Sequence, residues 1–249
     1  MKLTILGSGT CIPHIQRGSS GYLLEMSESK ILLDCGAGTT WKLEKIGVDY
    51  LAIDHIFFSH LHPDHTGDLV PFLFATKYSH NRKREKSLFL WGGKGFIKFF
   101  DALKKAYSNW IVPKHLVLDE IRGGSENFTD FKIVSAKVPH MESSLAYKIE
   151  SKGKSLVYSG DTDYSESLIN LAAKCDLLII ECALANDNLK MKGHLTPNEV
   201  IKIIIETKPK KVVVTHFYPE CDEEKVVETI RDNVDVEVIE AQDLLEIKV

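Results

Sequence analysis

The chain has 249 residues, 44% of them hydrophobic and 27% charged, which is ample core for one large domain or two small ones and excludes an extended disordered chain. Its 31 Lys and Arg against 35 Asp and Glu leave a net charge of −4, so no global positive field draws it to nucleic acid or membranes, although bound cations could still admit a phosphate substrate. No apolar run is long enough to span a bilayer, and five scattered cysteines (Cys11, Cys35, Cys175, Cys182, Cys221) without a C-x-x-C spacing argue against a disulfide framework or a structural zinc knot. Residues 1–7 read as a first strand rather than a secretory leader, which sets the expected location in the cytoplasm.

In chain order, an apolar strand over 3–6 stops at Gly7-Ser8-Gly9-Thr10, read as a tight turn near the site because no helix pattern or Lys-Ser pair follows to make a phosphate loop. Residues 22–26 and 30–34 form a hairpin, and the second strand ends in Asp34-Cys35-Gly36-Ala37-Gly38-Thr39, where Asp34 is either an orienter of metal-bound histidines or a cap. A short helix over 40–46 ends at Gly47. A buried strand over 54–58 and a helix over 69–78 follow. Lys77, His80, Asn81, Arg82, Lys83, Arg84 and Lys86 then form a polar stretch, read as a solvated loop with a phosphate contact zone as the alternative. A strand over 87–91, a helix over 94–107 and a turn at Gly123-Gly124 lead to strands over 131–138, 144–150 and 155–159. A helix over 165–173, a strand over 177–180, a helix over 197–207 capped by Thr196, a strand over 211–214, a helix over about 222–232 and two short strands complete the chain. Hairpins early in each half and alternating strands and helices later predict an α/β (α+β) four-layer αββα sandwich, read as a single domain over 1–249.

Chemistry concentrates in Ser59-His60-Leu61-His62-Pro63-Asp64-His65-Thr66-Gly67, directly after the strand over 54–58. In extended chain i and i+2 share a side, so His60 and His62 can grip one ion, while Pro63 forces a turn that re-aims Asp64 and His65 toward a second. Imidazole and carboxylate suit a borderline divalent cation. Further candidates end other strands: His140, Asp161 after Gly160, and His216.

These motifs, His60-x-His62-x-Asp64-His65, the isolated His140, Gly160-Asp161-Thr162 and Thr215-His216-Phe217, resemble the metallo-β-lactamase superfamily over essentially the whole chain, and the openings at 6–10 and 34–39 are most similar to ribonuclease Z and its phosphodiesterase relatives. The resemblance implies the metallo-β-lactamase fold and two divalent ions, one on His60, His62 and His140, the other on Asp64, His65 and His216, with Asp161 bridging and a bridging hydroxide as nucleophile. Zinc is the default for such ligands, with manganese or iron open. The resemblance also marks Asp64, His194 and Glu181 as catalytic, His194 held by Glu181 beside the metals; a helix-capping role for His194 is the alternative. Members that process transfer RNA carry a long basic arm between the isolated histidine and the bridging aspartate, whereas His140 and Asp161 here are separated by a single predicted hairpin.

The expected function is therefore a dinuclear metal-dependent phosphodiesterase acting on a small phosphodiester or nucleotide. Processing of tRNA 3′ ends and hydrolysis of a lactone or thioester are the alternatives. RNA stays open as a partner, a membrane does not, and a homodimer is admitted because dimers are common in the similar families. A flavodiiron-like redox role is disfavoured by Asp64 in the motif.

Overall fold

The computed structural model describes residues 1–80 and 82–249; Asn81 of the polar stretch lies outside the described residues. The first sheet has seven strands, six of them in chain order: β1 (Lys2–Gly7), β2 (Gly21–Glu25), β3 (Lys30–Cys35), β4 (His55–Phe57), β5 (Leu88–Gly92) and β6 (Leu116–Glu120). The second sheet holds β7 (Gly124–Asn127), β8 (Lys132–Lys137), β9 (Leu145–Ser151), β10 (Lys154–Tyr158), β11 (Leu177–Glu181), β12 (Lys211–Thr215) and β13 (Glu237–Glu240), and β14 (Glu246–Lys248) returns to pair with β1. Each sheet is antiparallel on one side and parallel on the other: β3 to β6 run parallel in the first, β10 to β13 in the second.

The strands read as nearly continuous apolar runs because both faces are covered. Along β3, Ile31 and Leu33 join the core between the sheets while Leu32 faces the outer helices; Tyr22 and Leu24 of β2 alternate with Leu23 in the same way. On the outer side of the first sheet, α1 (Thr39–Lys45), α3 (Leu69–Tyr78) and α4 (Phe96–Tyr107) bury Leu43, Phe72, Leu73, Phe96 and Phe100. A single turn, α2 (Pro63–Thr66), lies between α1 and α3. Over the second sheet, α5 (Glu166–Ala172), α6 (Pro197–Thr207) and α8 (Val226–Arg231), with α7 (Pro219–Glu223) before it, contribute Leu168, Val200, Ile203 and Ile230. The layers are helix, sheet, sheet, helix: the αββα sandwich that the pattern predicted. No helix among the described residues is long and apolar enough to cross a membrane.

Local signals explain most boundaries. At α6, Pro197 takes the first position and the Glu199 carboxylate accepts the Thr196 N–H at 3.0 Å. The helix expected over 222–232 is instead two short helices, because Lys225 adopts a left-handed conformation (φ 51°) between α7 and α8. The edge strands β6 and β7 were not anticipated: β6 alternates half-buried and exposed residues, and β7 (Gly-Ser-Glu-Asn) is exposed throughout and lacks strand-forming side chains.

Candidate metal centre

The parallel strands of both sheets end along the same edge of the sandwich, and the candidate side chains project from those ends. Asp34 ends β3, Ser59 and His60 follow β4, His140 follows β8, Asp161 follows β10, Glu181 ends β11 and His216 follows β12. Three buried tyrosines tie the layers together there: Tyr147 OH donates to the Phe58 carbonyl (2.8 Å), Tyr158 OH to Asp34 Oδ2 (2.6 Å), and Tyr22 OH shares a hydrogen bond with Thr215 Oγ1 (2.8 Å). Gly160 has φ 57°, and a Cβ there would stand 2.7 Å from Ser59 Cβ, so only glycine lets the β10 end close against the His60 segment. Asp34 and His216 also hold left-handed backbone (φ 60° and 61°), strain that their hydrogen bonds must support.

All seven predicted ligand side chains converge. His60, His62, His140 and Asp161 form one group able to surround an ion, and Asp64, His65 and His216 form another. Asp161 Oδ2 lies between them, 3.6 Å from His60 Nε2, 3.9 Å from His140 Nε2, 3.3 Å from His65 Nε2 and 3.2 Å from His216 Nε2. Asp64 Oδ2 stands 3.6 Å from His65 Nε2. Two ligands held about 2.1 Å from one tetrahedral ion are roughly 3.4 Å apart, so these separations match shared coordination.

Proton placement tests whether a cation fits. Gly193 O, 2.9 Å from His140 Nδ1, can only accept, so His140 carries its proton on Nδ1 and Nε2 is bare. Ser59 Oγ donates to Asp34 (2.8 Å) and therefore accepts from His60 Nδ1 (3.1 Å), which leaves His60 Nε2 bare as well. Both bare nitrogens face His62 Nδ1, at 3.0 and 3.1 Å, where one proton can serve only one of them. His65 Nδ1 donates to Asp34 Oδ2 (2.7 Å), and its Nε2 is buried without a hydrogen-bond partner. Lone pairs converging on a buried carboxylate fit divalent cations.

Electrostatics agree. Burial, followed by the neighbouring imidazoles, pushes His60 well below the ordinary histidine range, and burial lowers His62 and His140. These three therefore stay neutral, the ligand form. Burial works against charge on His65, but Asp161 and Asp34 outweigh it and hold that imidazole well above its usual value. Asp161 is held well below the carboxylate range: burial opposes this, but His216, His65 and His60 prevail.

Beside this cluster Glu181 is buried and saturated. Its Oε1 accepts from Thr162 N (2.8 Å) and His194 Nδ1 (3.0 Å), and its Oε2 from Ala183 N (3.1 Å) and Leu195 N (3.2 Å). Burial opposes charge on His194, yet the hydrogen bond to Glu181 raises it to about 8. The His194 ring lies 4.8 Å from that of His140 and 5.9 Å from that of His216, so Glu181 and His194 border the centre rather than cap α6, whose cap is Thr196.

Asp34 orients His65 and, through Ser59 N (2.6 Å) and Oγ, the His60 segment; it does not cap α1, whose first turn follows Gly38. The basic stretch after α3 lies at the amino ends of β4 and β5, across the sheet from the cluster, so it is not a contact zone for a phosphate bound there. It is not wholly solvated either: Arg84 is buried and donates to Leu51 O and Ser87 O, both at 2.7 Å. Sequence reasoning missed Ser20, whose Oγ meets His216 Nδ1 at 3.0 Å, along with Ser59, Tyr158 and the Gly193 carbonyl. Of these only Ser59, next to His60, carried a local signal.

Residues 1–92 match the family described as "Anti-Pycsar protein Apyc1", and residues 114–217 match the "Beta-lactamase superfamily domain". A Bacillus subtilis (strain 168) protein named "Probable metallo-hydrolase YhfI" is 29% identical over 87% of this chain and 87% of its own length. The crystal structure of YhfI superposes with a TM-score of 0.86 at 25% identity, covering 98% of each chain. Ribonuclease Z of Methanothermobacter thermautotrophicus is 24% identical over 87% of this chain and 86% of its own. The fold is also that of human tRNase Z, short form, at a TM-score of 0.81 and 24% identity over 100% of this chain and 99% of that one.

Proposed function

We propose that the chain is a metal-dependent hydrolase of the metallo-β-lactamase superfamily, on its ribonuclease Z-like side, and that it cleaves a phosphodiester in a small cyclic or nucleotide substrate within a single domain over 1–249. His60, His62 and His140 would hold one ion, Asp64, His65 and His216 a second, and Asp161 both, with zinc favoured by the imidazole-rich set. When bound, such a pair makes water nucleophilic near neutrality and offsets charge gathering on the attacked phosphorus.

The observation that carries the reading is the Glu181–His194 couple. Glu181 accepts the hydrogen bond from Nδ1–H, and because His194 is raised to about 8 its ring also carries an Nε2–H that can bind a phosphate oxygen or pass to the departing alkoxide. A carboxylate saturated by four donors holds that imidazole in one orientation, so the acid is in place before substrate arrives. A thioester, which releases a thiolate, has weaker need of such an acid. Between His140 and Asp161 the chain supplies only the β9–β10 hairpin, which favours a small substrate over a clamped transfer RNA. Similarity to ribonuclease Z keeps RNA 3′ processing as the second reading.

The test is turnover of bis-p-nitrophenyl phosphate, cyclic nucleotides and a 3′-extended tRNA by protein loaded with zinc or manganese, beside a lactone panel. Metal-dependent hydrolysis of the first two supports the proposal. Hydrolysis of lactones alone, or of nothing in the panel, defeats it.

A further inference from the structure

Between the segments that follow Glu181 and His216 and the loop that leads into His194 lies a cavity of about 170 Å³ walled by Leu184, Ala185, Leu189, Met191 and Tyr218. Its position follows from the chain: Leu184 comes three residues after Glu181, Tyr218 two after His216, and His194 N donates to the Met191 carbonyl at 3.3 Å. We infer that this apolar cavity is a specificity subsite that seats a flat, uncharged ring, of the nucleobase class, carried by the substrate beside its scissile phosphate. The inference rests on the phosphodiesterase reading above and narrows its substrate class.

The loop bearing Leu189 and Met191 is fastened. Lys190 Nζ reaches Asp163 Oδ1 (2.8 Å), Glu199 Oε2 (2.6 Å) and the His194 carbonyl (2.6 Å), and Gly193 N donates to Asp163 Oδ2 (3.0 Å). Leu189 and Met191 flank this post, yet remain 51% and 47% exposed. Two large apolar side chains presented to water from a pinned loop are not core residues that failed to pack; they are surface awaiting a partner. On the other side of Tyr218, the loop after β1 touches the phenol oxygen through Cys11 Sγ at 3.7 Å.

The two surfaces ask for two parts of one molecule. Cations and His194 recognise phosphate, whereas the cavity offers no positive side chain to an anion and its one charged wall, Glu220, would repel it. A thioether and a phenol ring favour a planar π system, and base stacking on such groups is worth about 1–3 kcal/mol. The cavity is large enough for one ring system and too small for a polymer segment.

Adenosine 5′-monophosphate and ribose 5-phosphate differ only in the base, so they isolate the cavity. Their binding to zinc-loaded protein would be measured by calorimetry, and by competition against bis-p-nitrophenyl phosphate. The adenine nucleotide should bind at least about tenfold more tightly, and Leu189→Ser with Met191→Ser should narrow the gap to about threefold or less. Equal affinities, no binding of the nucleotide, or a preference that survives the double variant overturns the inference. Should the double variant misfold, Met191→Ser alone serves with the same criterion. Absence of phosphodiester turnover would sink the activity, while the calorimetric comparison would still decide the cavity.

Discussion

Replacing Asp34 with asparagine leaves shape nearly unchanged but swaps one carboxylate oxygen for a donor. In the native arrangement Oδ1 accepts from Ser59 N (2.6 Å), while Oδ2 accepts from Ser59 Oγ (2.8 Å), His65 Nδ1 (2.7 Å) and Tyr158 OH (2.6 Å). The backbone N–H of Ser59 must keep an oxygen opposite it, so the new NH₂ faces the other three groups. Two of those are hydroxyls and can rotate to accept. His65 cannot while it keeps the proton on Nδ1, and a ring that gives that proton up holds its remaining one on Nε2, where it should present a lone pair to an ion beside Asp161. The expected result is a selective loss at the group formed by Asp64, His65 and His216: about 10- to 100-fold in metal affinity, or about 1.4–2.7 kcal/mol, with the His60, His62 and His140 group little changed. Zinc competition titrations should resolve one tight equivalent and one weakened equivalent, and nitrogen chemical shifts of the imidazoles in metal-free protein should report His65 losing its proton from Nδ1. Two equivalents bound with native affinity would refute the reasoning.

His194→Ala should lower kcat on bis-p-nitrophenyl phosphate by about 100-fold or more while leaving metal content intact; metal loss alongside activity would instead make His194 a ligand. Removing the ions with a chelator should lower the melting temperature by about 10 °C, reversibly on adding zinc, because ions at about a thousandfold over their dissociation constant stabilise the fold by about 4 kcal/mol. His55 sits among Phe57, Phe89, Trp91, Phe128 and Phe131, and burial depresses it from 6.5 to about 4, against the raising influence of Asp54 and Asp130. A histidine depressed on folding contributes stability that is complete above pH 6.5 and fades as pH falls toward 4, here by about 3 kcal/mol. Urea midpoints of His55→Phe should accordingly fall less than those of the native chain between pH 7 and 4.5; parallel curves would dismiss the idea.

The elements legible in the sequence are those whose cause is local. Helix α3 (Leu69–Tyr78) and helix α6 (Pro197–Thr207) match their expected spans because apolar spacing, Thr196 and Pro197 act within a turn or two. Strand β7 escaped because it is held by pairing to β8 rather than by its own composition, and Lys225 breaks the last long helix with no glycine or proline to announce it. The site divides in the same way. His60, His62 and His65 sit in one motif and could be read directly, whereas the groups that fix their tautomers come from afar. The role of Asp34 was undecided since His65 lies 31 positions away, and no pattern links Ser20 to His216, 196 positions on.

Asp34, His60, His62, Asp64 and His65 come from the first sheet and its connections; His140, Asp161, Glu181, His194 and His216 come from the second. A slip of one residue between layers is about 3.3 Å, as large as the gaps of 3.2 to 3.9 Å that separate Asp161 from the imidazoles. The centre is thus a vernier for the alignment of two slabs. Trimming side chains sandwiched between them, such as Leu33 or Tyr147, should detune ion capture out of proportion to the stability lost, while equal trimming at Leu43 or Phe72, outside the first slab, should cost stability alone.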